Sequence, residues 1–142
     1  VSNFGIFVIE SKNISGAIYG SPQDREWTVC LGCSKFRLYN PLRQNAAHIK
    51  ALAAATLLPE RYFHSLVFFW SDNCQFKTPM PENVRRAGLC SYIQGKRRYL
   101  LSNADVRNAL LRIAAKRIPS TRENIDAHVA NLRRRHPRTD LG

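Results

Sequence analysis

The run Gly5-Ile6-Phe7-Val8-Ile9-Glu10-Ser11-Lys12-Asn13 limits the possible folds of this chain more than any other segment. Ile6 to Ile9 is a continuous apolar stretch, the pattern of a strand covered on both faces. It then ends in a carboxylate and an ammonium two positions apart. Burying charge is costly unless the charge is paired or has a chemical task. Side chains alternate along a strand, so Glu10 and Lys12 share one side and Ser11 points to the other. A Glu-x-Lys on a strand end supplies one carboxylate for a hard cation. It also supplies a cation that can orient water and offset developing charge in phosphodiester cleavage. The tripeptide alone is equally compatible with a surface ion pair.

Asn3-Phe4-Gly5 has turn chemistry, which makes Val1-Ser2 the expected end of a preceding hairpin strand. If Val1-Ser2 pairs back on Ile6-Phe7 around the Asn3-Phe4 turn, the residue opposite Glu10 falls about four positions before Val1. The chain opens on Val, and the expectation is a fragment of a longer parent that carries an acidic residue there. Further strands are expected at Ala17–Tyr19, Trp27–Cys30, Phe36–Tyr39, His64–Trp70, Cys74–Thr78 and Gly88–Ile93. Asn40-Pro41 opens a helix, with Asn as N-cap and Pro at the first helical position. Its apolar positions are Leu42, Ala46, Ile49, Ala53 and Leu57, and it stops before Pro59. Gln44 and His48, four apart, share a face of this helix. Gln44 is a candidate for positioning water or a phosphate oxygen, and ordinary half-exposed polar positions are the competing reading. Two helices close the chain, one after Ser102 and one after the Ser120-x-x-Glu123 capping box. Strands, a helix, strands and helices without a repeat make an α/β or α+β domain with a mixed sheet.

Charge then narrows the partner. The 142 residues carry 22 Lys and Arg against 10 Asp and Glu, a formal net charge of +12. A surplus of that size favours a polyanion, nucleic acid before an anionic membrane. The basic residues cluster at Arg85-Arg86, Lys96-Arg97-Arg98 and Arg133-Arg134-Arg135. Arg43 and His48 add to the candidate nucleic-acid contacts. Such contacts confer affinity and salt dependence without sequence preference. Phe68, Phe69 and Trp70 are expected in the core rather than as a stacking platform. Of four cysteines only Cys30 and Cys33 have metal-type spacing, so zinc is not expected. Cys74 and Cys90 read as small buried hydrophobes, and reduced cytoplasmic thiols are the default. No apolar run reaches transmembrane length, and the opening residues, with Glu10 and Lys12 so early, are not expected to be a secretory leader.

Taken together, the motifs carry a resemblance. G-I-F-V-I-E-S-K-N, a glycine turn, Trp27, N-P-L-R-Q-N, F-F-W-S-D-N and P-E-N-V, in that order over roughly residues 1–115, resemble the nuclease-related domain (NERD) family of the PD-(D/E)XK nuclease superfamily. The resemblance implies a restriction-endonuclease-like fold, a mixed central sheet flanked by helices. It implies a Mg²⁺- or Mn²⁺-dependent nuclease acting on DNA, RNA being the less favoured substrate. Glu10 would be the metal ligand of Glu-x-Lys, Lys12 its lysine, and Gln44 the helix glutamine. The backbone carbonyl of Ser11 would be a further metal ligand. The family's preceding Asp has no counterpart in this sequence. Residues 1–118 are expected to form the nuclease-like domain, lacking that N-terminal part, and residues 119–142 a basic helix and tail. A DNA-binding module of the same fold without activity is the alternative.

Overall fold

The structure, a computed structural model, describes residues 1–117. Seven strands and three helices follow one another as β1 (Ile6–Lys12), β2 (Gly16–Tyr19), β3 (Glu26–Leu31), β4 (Ser34–Tyr39), α1 (Pro41–Thr56), β5 (Phe63–Phe69), β6 (Cys74–Phe76), β7 (Val84–Arg85), α2 (Leu89–Gly95) and α3 (Asn103–Lys116). The class is mixed α+β, compatible with a restriction-endonuclease-like fold. No described helix is long and apolar enough to cross a membrane. The second C-terminal helix expected after Pro119, with Arg133, Arg134 and Arg135, lies outside the described residues.

The strands pair as two sheets. One is wholly parallel in the order β1-β5-β7, and the other is mixed in the order β4-β3-β2-β6. The break between β1 and β2 ends at Gly16, whose φ of 113° is open to glycine and whose missing Cβ would lie 2.4 Å from the Cys30 carbonyl oxygen. A shared apolar cluster joins the sheets. Ile18, Trp27 and Val29 from the mixed sheet pack with Val67, Phe69 and Val84 from the parallel one. A second cluster, Ile6, Ile49, Phe63, Leu101 and Ala109, seats α1 and α3 on the parallel sheet.

The expectation for β1 is corrected on one face. Ile6 and Glu10 are buried, whereas Ile9 is 40% exposed. The strand is therefore covered on the α1 side and partly open on the other. The helix opens as expected, with the Asn40 side chain accepting from the Leu42 amide and Pro at the start. Its buried positions are Pro41, Asn45, Ile49 and Thr56, while Ala46 and Leu57 face solvent. Leu57 is the left-handed residue that ends the helix, so it leaves the apolar stripe.

Residues 88–93 are not a strand. Gly88 adopts φ 69°, and Leu89–Gly95 turns as a short helix that brings Leu89 and Ile93, four apart, to half-buried positions. Apolar residues in so short a window satisfy either period, and the left-handed glycine before them settles the choice. The two-residue strand β7 beside β5 has no visible signal in the sequence. By contrast, α3 starts on a complete capping box between Ser102 and Asp105.

Candidate active site

The α1 side of β1 carries Ile6, Val8, Glu10 and Lys12, and in the parallel register Glu10 sits beside Val67 and Lys12 beside Phe69. The apolar start of this face packs under α1. Its charged end meets the first turn of the same helix. The Lys12 ammonium lies 2.9 Å from Glu10 Oε1, with side-chain exposures of only 15% and 11%. The same Nζ donates to Gln44 Oε1 at 2.9 Å. All three residues expected from the sequence therefore meet in one hydrogen-bonded group, from two segments of the chain.

Position within this group depends on Asn40, which is fully buried. Its Oδ1 accepts the Leu42 amide at 2.9 Å, and its Nδ2 donates to the carbonyls of Pro22 and Asp24 at 3.1 and 2.7 Å. The amide of Gln44 in turn donates to the Asn40 carbonyl. The loop before β3 is thus tied to the helix start, and Gln44 inherits a fixed origin. Arg43 spends its guanidinium on the Gln23 carbonyl at 2.7 Å, closing the same loop.

Asn45 is the residue that sequence reasoning missed. It is fully buried, and its Nδ2 donates to the Val8 carbonyl at 2.8 Å and to Ser65 Oγ at 2.9 Å, bridging β1 and β5. Its Oδ1 has no partner among the described residues. Asparagine is a poor helix former, so one placed four residues before Ile49 in an alanine-rich helix is the available signal. Trp70 is the second correction. Phe68 and Phe69 are buried as expected, but Trp70 is 53% exposed. Its amide donates to the Lys12 carbonyl at 2.9 Å and its indole donates to Ser11 Oγ. Trp70 therefore clamps the end of β1 to β5. Ser11 faces the side opposite Glu10.

Glu10 is the one carboxylate in this constellation. Among the described residues no group of three or more His, Cys, Asp or Glu is disposed to hold a metal ion. The donor chemistry still fits a hard cation. Lys12 engages Oε1 of Glu10, and magnesium is commonly held by one or two carboxylates with water and substrate phosphate completing its shell. Among the described strands β1 is an edge of its sheet. Ser2 pairs antiparallel with Gly5, starting the expected hairpin with Ser2 opposite Gly5 rather than opposite Ile6 or Phe7. An antiparallel strand in that register would run beside Glu10.

The other candidates separate. His48 is exposed on α1. Arg85 donates to the carbonyls of Ala87 and Glu82 and lies over the Tyr92 ring, while Arg86 is exposed. Lys96, Arg97 and Arg98 gather near Phe4, at the far end of β1 from Lys12. Cys74 is buried, and burial pushes its thiol pKa up; Cys90, expected to be buried, is exposed because α2 turns it outward.

The site is thus a parallel strand ending in Glu-x-Lys, braced by a helix glutamine within an α+β domain. Residues 1–70 match the family model of the nuclease-related domain, NERD. An uncharacterized protein of Bacillus anthracis is 42% identical over 52 residues. That match covers 37% of this chain and 24% of the relative, so the chain spans about a quarter of that protein's length. No solved structure matches. The family segment contains Glu10, Lys12, Gln44, Asn45 and Trp70.

Proposed function

We propose that this chain is the nuclease-related part of a Mg²⁺- or Mn²⁺-dependent enzyme that hydrolyses DNA phosphodiester bonds. The observation that carries the reading is the joining of Glu10, Lys12 and Gln44 by two 2.9 Å contacts at the end of β1. Glu10, with the Ser11 backbone carbonyl, would hold the divalent cation, which when bound supplies Lewis-acid stabilisation of the phosphoryl oxygens. A second acidic ligand would come from a strand on the open edge of β1. Lys12 is held between two oxygen acceptors, which leaves its ammonium positioned to orient water and to offset charge gathering on the phosphate. Gln44 fixes that ammonium without competing for its charge. Asn45 keeps β1 and β5 in register beneath it.

The four cysteines are free, in keeping with a cytoplasmic role in DNA processing, repair or defence. We assign residues 1–118 to the nuclease-related unit and 119–142 to a basic appendage.

The test is cleavage of plasmid DNA by the protein with Mg²⁺ or Mn²⁺. Glu10→Ala and Lys12→Ala should each abolish cleavage while leaving DNA binding in place. Removing one oriented electrostatic group typically costs about 10²–10³ in rate. Full cleavage by both variants would discard the mechanism. Salt-sensitive binding with no metal-dependent cleavage would favour a binding module of the same fold.

A further inference from the structure

On the opposite side of β1 from Glu10, two cavities of about 590 and 470 Å³ share Phe4, Lys96 and Arg97 in their walls. Phe7 and Ile93 line the first, while Arg61, His64 and Arg98 line the second. Neither wall contains an Asp or Glu. Among the described residues the ion pairs are Glu10–Lys12 and Glu26–Arg37, so the four cations here have no carboxylate partner. A larger concavity of about 850 Å³ on the outer face of the mixed sheet mixes Asp24 and Glu26 with Arg25 and Arg37. It has no comparable preference for an anion.

Aromatic rings are interleaved with these cations. Phe4 meets Tyr99 edge to face at 5.1 Å, Phe7 stacks on His64 at 4.6 Å, and Lys96 lies 4.7 Å from the Tyr92 centroid. Tyr99 is 72% exposed. The platform is also held in place before any ligand arrives. Asn3 accepts the Leu100 and Leu101 amides through its carbonyl and donates to the Leu101 carbonyl through Nδ2. His64 Nε2 donates to the Phe4 carbonyl at 2.8 Å, since a carbonyl can only accept. A fixed platform loses little conformational entropy on binding.

Building on the nuclease reading, we infer that this groove binds a single strand of nucleic acid, which makes unpaired DNA the form of substrate the domain engages. Four cations with no carboxylate partner among the described residues call for phosphates. The exposed Tyr99 ring beside them calls for a base whose own face is free, which a duplex does not offer. Phe7 stands roughly 16 Å along β1 from Lys12, at about 3.3 Å per residue. The groove opens on the face opposite Glu10, so a strand bound in it would pass around the end of β1 to reach that site.

The experiment is fluorescence anisotropy of the full chain with a labelled oligothymidylate and with a duplex of equal length, in EDTA so that no cleavage enters. The single strand should bind more tightly than the duplex. Tyr99→Ala should weaken single-strand binding about 5- to 140-fold, the equivalent of one stacked base at about 1–3 kcal/mol, with Tyr99→Phe restoring it. Replacing both Arg97 and Arg98 with Ala should reduce the salt dependence by about 1.4, at about 0.7 per phosphate contact. Equal affinity for the duplex, or unchanged binding by these variants, would overturn the inference. So would equal displacement by polyglutamate or by phosphatidylserine vesicles. Glu10→Gln should bind the oligonucleotide normally. Loss of the groove with intact metal-dependent duplex cleavage would reject this inference alone, and normal binding without cleavage would reject the catalytic reading alone.

Discussion

Replacing Lys12 with Met removes the charge between Glu10 and Gln44 while keeping most of the side-chain volume. At 2.9 Å and an effective dielectric near 20, the gross attraction to Glu10 is about 6 kcal/mol. Both groups lose hydration on burial, so the net value is smaller. Removing one member of a buried pair costs about 3–5 kcal/mol, because the other is left charged and alone. With 15% and 11% of the side chains still exposed, water screens part of this, and about 2–3 kcal/mol is expected. Gln44 also loses its donor. The assay is urea unfolding of the Lys12→Met, Glu10→Gln and double variants, read by linear extrapolation. The double variant removes both charges, so it should be less destabilised than the sum of the singles by about 1–3 kcal/mol. Additivity within about 0.5 kcal/mol would show that the two side chains do not act on each other. The electrostatic basis assigned to the site would then be wrong.

Two further perturbations test the supports around this site. Asn40→Ala should destabilise the fold by about 2–4 kcal/mol, combining a lost N-cap with buried carbonyls left without donors, and denaturant midpoints would measure it. Asn40→Asp, which can cap but not donate, should fail to recover that loss. Hydrogen bonds from Ser102 hold the Asp105 carboxyl below its ordinary pKa. A lowered folded-state value means the capping contribution is complete above the usual aspartate range and is lost as pH falls through the lowered value. Helicity of α3 followed by NMR should fall in that acidic window, and Ser102→Ala should remove the effect.

Much of the site was legible because strand alternation is a strong rule. Placing Glu10 and Lys12 on one side needed only a period of two, and Asn40-Pro41 announced the helix that carries Gln44. What escaped depended on distant partners. Asn45 is spaced like a core residue but polar, and only the Val8 carbonyl and Ser65 hydroxyl explain its burial. Trp70 follows two buried phenylalanines, yet it lies one residue past the strand end, where the sheet no longer covers it. The segment after Gly88 was misread because a few apolar residues fit either period, and a positive φ cannot be read from a glycine alone. Ile9 continued an apolar run whose far side lacks a full cover.

The parallel pairing of β1 with β5 has a kinetic consequence. Lys12 and Gln44 are 32 residues apart, and the Ser11–Trp70 clamp spans 59. Parallel strands joined by so long a connection cannot nucleate locally, and loop-closure entropy must be overcome before their contacts form. The Glu10–Lys12–Gln44 group should therefore assemble late in folding, after β5 has docked against β1. A chain stopped short of Trp70 would contain the charged residues without the geometry that gives them a use.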